Sequence, residues 1–441
     1  MYKFNKKGIS FYINIFFVLS IWFCIDTNFE NIFEIINNYS SWKDENAFKK
    51  LFLFFRSSGP FLGFLIFFLT SIYIKKKLHF LTNNKALNYI LIIFYIYFLF
   101  KFIGLLNSNN DLYYSYYIFV ALFSIFAIVN IYNEDLHKIS YLISLIILSI
   151  IVIFYGFLSY KWVLTTHNLN MYGTFPHVFY PLSDFSSNVI RSSGLSRSGM
   201  ILLIPLFYLI LSDKVKFIYL VPYLILSTMI YLSQSRIVVS FLILFSFFSV
   251  FYFLWDKTIK YKIQKFFILI MLPIICVNSL IIIKKEINAK SFAHIELENR
   301  PKYSAIRPTE KTDFTSYRSS NWKKAILNSK KPIIGYGPLG DRYLIDANSH
   351  NTLVYSYISG GIVSTILILI LIVRYTYLCL YFTFIKKIKL EKKNIFIFSS
   401  IFTISFILFR GIGEIGMGVF SIDFLVFLSC MAICEKFKIQ K

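Results

Sequence analysis

Apolar positions run continuously along most of this chain. They do not alternate as they would along a half-buried strand. Many of the runs are about 17–25 residues long, enough to cross a ~30 Å hydrocarbon core as helices. Lipid offers the backbone no hydrogen-bond partners, so continuous apolar runs must close their bonds internally. The pattern predicts spans near 8–25, 59–74, 86–106, 112–131, 139–160, 199–212, 217–233, 237–255, 266–283, 352–373, 394–410 and 418–434. The expected fold is an all-α polytopic membrane protein of about twelve transmembrane helices, one membrane domain over 1–441. The first run follows MYKFNKKGIS like a signal sequence. It ends in WFCIDTNFE without a small-residue cleavage site, so it reads as an uncleaved span.

Polar segments separate the spans, and their charges suggest sidedness. The formal net charge is +24. Most lysines punctuate span ends: Lys6 and Lys7, Lys75 to Lys77, Lys138, Lys214 and Lys216, Lys257 to Lys265, Lys386 to Lys393, and Lys436 to Lys441. These fall on alternate connections, so both termini are expected on the cytoplasmic side. Positive-inside bias accounts for the charge, and nucleic acid is not an expected partner. The lipid bilayer is.

The remaining connections then face outward. Two are substantial, 161–198 and 284–351, the latter lying between the ninth and tenth spans as a large periplasmic loop. From Lys284 to Ser349 there are 13 Lys and Arg against 7 Asp and Glu, a net of +6. No ATP reaches that side, so any reaction there draws its energy from the substrate itself.

Cysteine chemistry adds little. Cys24, Cys276, Cys379, Cys430 and Cys434 all lie in or beside apolar segments, and the polar loops have none. No disulfide framework is expected. Cys430 and Cys434 sit one helical turn apart without His or carboxylate companions, which suits small packing or lipid-facing residues.

Candidate chemistry gathers at the outward loops. Arg191 and Arg197 stand in NVIRSSGLSRSGM, Arg236 in LSQSRIVVS and Arg318 in SYRSSNWKKAI. A guanidinium matches phosphate oxygens bidentately and stays charged when partly desolvated. Each arginine also has a plain reading as an interfacial anchor or ion-pair partner. Arg236 shares a tight turn with Ser233, Gln234 and Ser235 and has no acid beside it, which favours function. His350 stands where the large loop re-enters the membrane, in DANSHNTLVYSYISGG. It can accept a proton near neutral pH. Asn348, Ser349 and Asn351 are placed to fix its tautomer; the plainer alternative is that Asn348 or Ser349 caps the tenth span and His350 is incidental. His167 and His177 lack partners at metal-motif spacing, so no metal or cofactor is expected. Asp184 is an acid without further support. Arg410 and Glu414 in FRGIGEIG have i,i+4 spacing and read as an ion pair at an outer turn, with a supporting role beside the cavity as the alternative.

GYGPLG, from Gly335 to Gly340, spells a dinucleotide fingerprint. That motif needs a strand before it and a βαβ unit around it. Neither is present, and a flexible turn over the active face is the expected reading.

The order of these landmarks resembles the O-antigen ligase and polymerase family of bacterial envelope glycosyltransferases. It is carried by Arg191 with Gly194, Ser235 with Arg236, Arg318 with Trp322 and Ala325, Pro332 with Gly335 and Gly337, and Ser349 with His350 and Asn351. Gly361 follows at H-N-x9-G spacing, and Ser364 replaces a final glycine of the pattern. The resemblance covers most of 185–420. It implies a metal-independent, inverting transfer of a glycan from undecaprenyl diphosphate, at the periplasmic face of the bacterial inner membrane. It further implies His350 as the proton acceptor and Arg191, Arg236 and Arg318 around the diphosphate. Arg197, Arg300, Arg307, Arg342, Asn351, Arg410 and Glu414 are secondary candidates. The acceptor would be another carrier-linked repeat unit in an O-antigen polymerase, with a chain-length regulator as a further partner. In an O-antigen ligase it would be lipid A–core oligosaccharide. Polymerase is the first expectation and ligase the second. From a different class, a transporter of lipid-linked oligosaccharide is the alternative; it would carry arginines through the membrane midplane and show inverted repeats.

Overall fold

The computed structural model describes residues 80–82, 84–110, 112–130, 138–139, 141–153, 192–212, 216–232, 235–255, 262–276, 278–279, 318–345, 348–385 and 394–439, with Leu62, Leu65, Phe68 and Leu69. Among these, every regular element is a helix. The spans expected at 8–25 and over most of 59–74 lie outside the described residues. So do Cys24, His167, His177, Asp184, Arg191, Arg300 and Arg307.

The helices are α1 Lys85–Leu106, α2 Ser115–Asn130, α3 Tyr141–Ile153, α4 Ser192–Ser212, α5 Phe217–Leu232, α6 Arg236–Trp255, α7 Lys262–Phe266 (running on through a π turn, Phe267–Met271), α8 Arg318–Asn328, α9 Gly340–Ile345, α10 Thr352–Leu380, α11 Ile395–Arg410 and α12 Ile422–Ile439. Among the described residues, three stretches are long and apolar enough to cross a membrane: Lys85–Leu106, Gly194–Ser212 and Thr352–Ile385. α2, α3, α5, α6, α7 and α11 are shorter apolar helices.

Local chemistry sets several boundaries. Asn84 caps α1, its side-chain oxygen accepting from the Leu87 amide at 3.1 Å. α4 begins seven residues before the expected span, so Arg197 is a helical residue and not part of a loop. The short α8 and α9 were not expected as elements. α8 buries Ala325 and leaves Ser319, Ser320, Lys323 and Lys324 exposed along with Ile326 and Leu327, and it is too brief to read as a span.

α10 packs along α1, α4 along α5, and α11 against α12 and α4. Aromatic rings fill the seams. Phe94 and Phe98 of α1 each meet Phe424 of α12 edge to face at 5.6 Å, and Tyr208 stacks on Phe398 at 5.3 Å. Cys430 and Cys434 are buried in α12 as packing residues.

The break in α10 shapes everything above it. Gly360 and Gly361 leave the helical region, at φ −140°, ψ 18° and φ 70°, ψ −168°. Broken helical bonds orphan nearby carbonyls and amides, which need new partners when buried. Residues 332–337 supply them. The Tyr336 and Gly337 amides donate to the Ile358 and Ser359 carbonyls, both at 2.8 Å, and the Ile362 amide donates to the Pro332 carbonyl at 2.8 Å. GYGPLG is therefore not a free turn, as expected from sequence, but an ordered segment bonded into the break. Its entry depends on missing side chains. A Cβ at Gly104 of α1 would lie 2.3 Å from the Ile334 carbonyl oxygen, and one at Gly361 would lie 1.9 Å from that of Ile333.

Candidate functional site

The ordered segment and the break place three pieces of chain at the Thr352 end of α10. These are α8, the 348–352 entry to α10, and the turn 411–415 that follows α11.

Asn351 starts α10. Its side-chain oxygen accepts from the Leu353 and Val354 amides at 2.9 and 3.0 Å, while its amide nitrogen donates to the Ile412 carbonyl at 2.9 Å. Thr352 ties down the same turn. Its amide donates to the Gly411 carbonyl at 2.9 Å, and its hydroxyl donates to the Ile415 and Glu414 carbonyls at 2.6 and 3.1 Å. These bonds present the Glu414 carboxylate to the residue just before the cap.

That residue is His350. Its Nδ1 lies 3.1 Å from Oε2 of Glu414. The other carboxylate oxygen, Oε1, lies 3.5 Å from Nη2 of Arg318, whose Nη1 donates to the Gly413 carbonyl at 2.5 Å. Glu414 therefore bridges an imidazole and a guanidinium. Burial alone would push its carboxyl up. The His350 hydrogen bond and the charges of Arg410, His350 and Arg318 together outweigh that and hold it below the ordinary glutamate value. An ionised carboxylate only accepts, so Nδ1 of His350 carries the proton toward it. The Nε2 lone pair of neutral His350 is then free to take a proton. His350 and Arg318 stay partly open, at 29% and 33% exposure, against 18% for Glu414.

A second charged group adjoins the first. Asp423, in the first turn of α12, is buried and accepts from Nη1 of Arg410; Nε of Arg197 lies 3.6 Å from its other oxygen. The expected Arg410–Glu414 pair is thus corrected. α11 ends at Arg410, and Gly411 to Gly413 turn the chain, so i,i+4 spacing no longer brings the two side chains together.

The tautomer-fixing roles expected of the three neighbours of His350 are corrected too. Asn351 is committed to the helix cap. Asn348 accepts from Nε of Arg342 at 3.1 Å, and Ser349 turns to Asp341. Glu414, distant in sequence, holds the imidazole instead. Arg236 opens α6, and its side chain lies outside the described part. Its neighbour Ile237 reaches the site: a Cβ at Gly413 would lie 2.7 Å from both Ile237 Cδ1 and Arg318 Nη1.

Sequence reasoning passed over Lys101. It is buried in α1, donates to the Gly418 carbonyl, and lies 4.3 and 4.4 Å from the ring centres of Tyr97 and Tyr355. A lone lysine inside an apolar span was the available signal. Among the described residues no cluster of His, Cys, Asp and Glu forms a metal-binding group.

Residues 221–369 match the family model described as O-Antigen ligase. That match makes this part of the chain similar to the O-antigen ligase/polymerase family. The matched stretch runs from α5 into α10 and takes in Arg236, Arg318 and His350; Glu414, Arg410 and Asp423 lie beyond it. No curated protein matches the chain. The match supports a function of the O-antigen ligase/polymerase type in general. With the apolar helices above, it points to a multi-pass membrane protein.

Proposed function

We propose that this protein transfers a glycan from undecaprenyl diphosphate to a glycan acceptor at the periplasmic face of the bacterial inner membrane. The observation that carries the reading is the His350–Glu414–Arg318 bridge, within a chain whose family acts on lipid-linked glycans. The charge pattern supports about twelve spans in one membrane domain, both termini cytoplasmic, with 161–198 and 284–351 outside.

In this reading the acceptor hydroxyl attacks the anomeric carbon of the first donor sugar. A new carbon–oxygen bond forms as the bond to the diphosphate breaks, and the diphosphate leaves with the electron pair. Nε2 of His350 takes the hydroxyl proton, and Glu414 stabilises the imidazolium that results. One displacement inverts the anomeric configuration. Arg318 spends two donors on Gly413 and Glu414, which leaves others of its five N–H groups for phosphate oxygens. Arg236 and Arg191 are assigned to the same diphosphate, where charge grows toward the transition state. Arg300, Arg307 and Arg342 are rim contacts for phosphate or glycan. Diphosphate is already a good leaving group, so the arginines suffice to neutralise it without a metal.

O-antigen polymerase, with a chain-length regulator as partner, is the first assignment. Ligation to lipid A–core is the second. A transporter fits less well, because the candidate residues His350, Glu414 and Arg318 gather at one end of the helices.

A strain lacking the protein, complemented with His350→Ala or Arg236→Ala, tests the proposal. Glycan extension or attachment should disappear from silver-stained lipopolysaccharide gels while the variant still accumulates in the membrane. A wild-type glycan pattern from either variant refutes it.

A further inference from the structure

His350 sits at φ 47°, in the left-handed region. Histidine tolerates that region better than most residues, but it does not choose it unaided. Such a conformation persists where the surroundings over-determine it.

The surroundings here are specific. Asp341, in α9, is fully buried. Its Oδ2 accepts both donors of Ser349, the amide at 2.8 Å and the hydroxyl at 3.0 Å, and its Oδ1 accepts the Arg342 amide at 3.0 Å. Among the described residues no ion pair holds it, and a basic influence on it is the charge of Lys101, buried in α1. The Ser349 carbonyl accepts from Nε1 of Trp322. Trp322 lies four residues after Arg318 on α8, so one short helix braces Ser349 with one side chain and Glu414 with another. On the far side of His350, Asn351 is fixed by the α10 cap and the Ile412 carbonyl. Residues 349 and 351 are thus each held in place, and only the backbone between them is left to set the imidazole. A buried carboxylate is costly unless hydrogen bonds satisfy it. Three bonds do so here, two of them to the residue preceding His350.

We infer that Asp341 is a positioning residue for the transfer reaction, acting through Ser349 to keep His350 in its left-handed conformation with Nδ1 toward Glu414. The inference rests on the proposed role of His350. Asp341 touches no reacting atom. Losing it frees residue 349, lets His350 relax to an ordinary backbone conformation, and swings the imidazole off Glu414.

The test uses purified full-length protein in lipid nanodiscs. Its donor is the lipid-linked glycan extracted from cells that lack the protein. Asp341→Asn should lower kcat ten- to a hundredfold with the donor KM within threefold of wild type, and leave the thermal midpoint and membrane yield near wild type. Ser349→Ala, which keeps the backbone amide donor, should give a smaller fall in kcat, and Ser349→Thr, which keeps the hydroxyl, should recover most of it. If Asp341→Asn does not fold, the two Ser349 variants decide. Wild-type kcat in Asp341→Asn, or in Ser349→Ala where Asp341→Asn is lost, overturns the inference while His350→Ala remains impaired. A kcat loss that only tracks loss of folded protein, with Ser349→Thr no better than Ser349→Ala, overturns it as well. No difference between wild type and His350→Ala would instead remove the reading on which it rests.

Discussion

Oε2 of Glu414 lies 3.1 Å from Nδ1 of His350, across 64 positions of chain. The contact exists because the turn after α11 is laced to the cap of α10 by Thr352 and Asn351. It gives the imidazole a defined tautomer, and it ties a residue outside the matched family segment to one inside it. Glu414→Gln removes the charge while keeping the shape. Turnover should fall roughly ten- to a hundredfold, a loss of ~1.4–2.7 kcal/mol in transition-state stabilisation. Steady-state kinetics on reconstituted protein measures this; unchanged kcat would mean that the carboxylate serves only structure.

The same carboxylate gives a pH signature. Its folded-state pKa is depressed, so its contribution to stability is complete above the unfolded value near 4.5 and fades as pH falls through the lower folded value. The difference in melting temperature between wild type and Glu414→Gln should hold steady from neutral pH down to that region and then shrink. A difference that widens on acidification would show that the carboxyl is instead held above its ordinary value.

Asp423 stands between Arg410 and Arg197 with almost no exposure. Removing one partner of a buried ionic group leaves the others uncompensated, at about 3–5 kcal/mol. Asp423→Asn should therefore lower the melting midpoint and membrane yield sharply. Near-normal yield and midpoint would show that water or a counter-ion already screens the arginines.

Gly361→Ala places a methyl 1.9 Å from the Ile333 carbonyl oxygen, at φ 70°. Strain and clash together should cost about 3 kcal/mol or more. Pulse-labelled protein should be degraded or aggregate in detergent. A stable, active variant would mean that the 332–337 segment is not held in the helix break.

Much of this architecture was legible in the chain. Continuous apolar runs fixed the helical class, and the ends of α1, α5, α6 and α11 fall within one or two residues of the expected spans. Arg318 and His350 stood out as candidates because polar residues at a membrane edge are costly without a reason. What hid was tertiary. Glu414 reads as the partner of Arg410 by helical spacing, and only the three-residue turn after α11 hands it to His350 and Arg318. Asp341 and Ser349 are eight residues apart with no motif between them. The glycines of GYGPLG signal a backbone need, but the need is set by the break in α10, which sequence shows only as an adjacent glycine pair.

Single-turnover transfer by purified His350→Ala, with equal folded protein and donor, is the most direct measurement of the central idea. We expect the rate to fall at least ~100-fold, the lower bound for losing a general base, with donor binding preserved. Turnover within a few-fold of wild type would show that the proton leaves by another route and that the His350–Glu414 pair does not perform the chemistry.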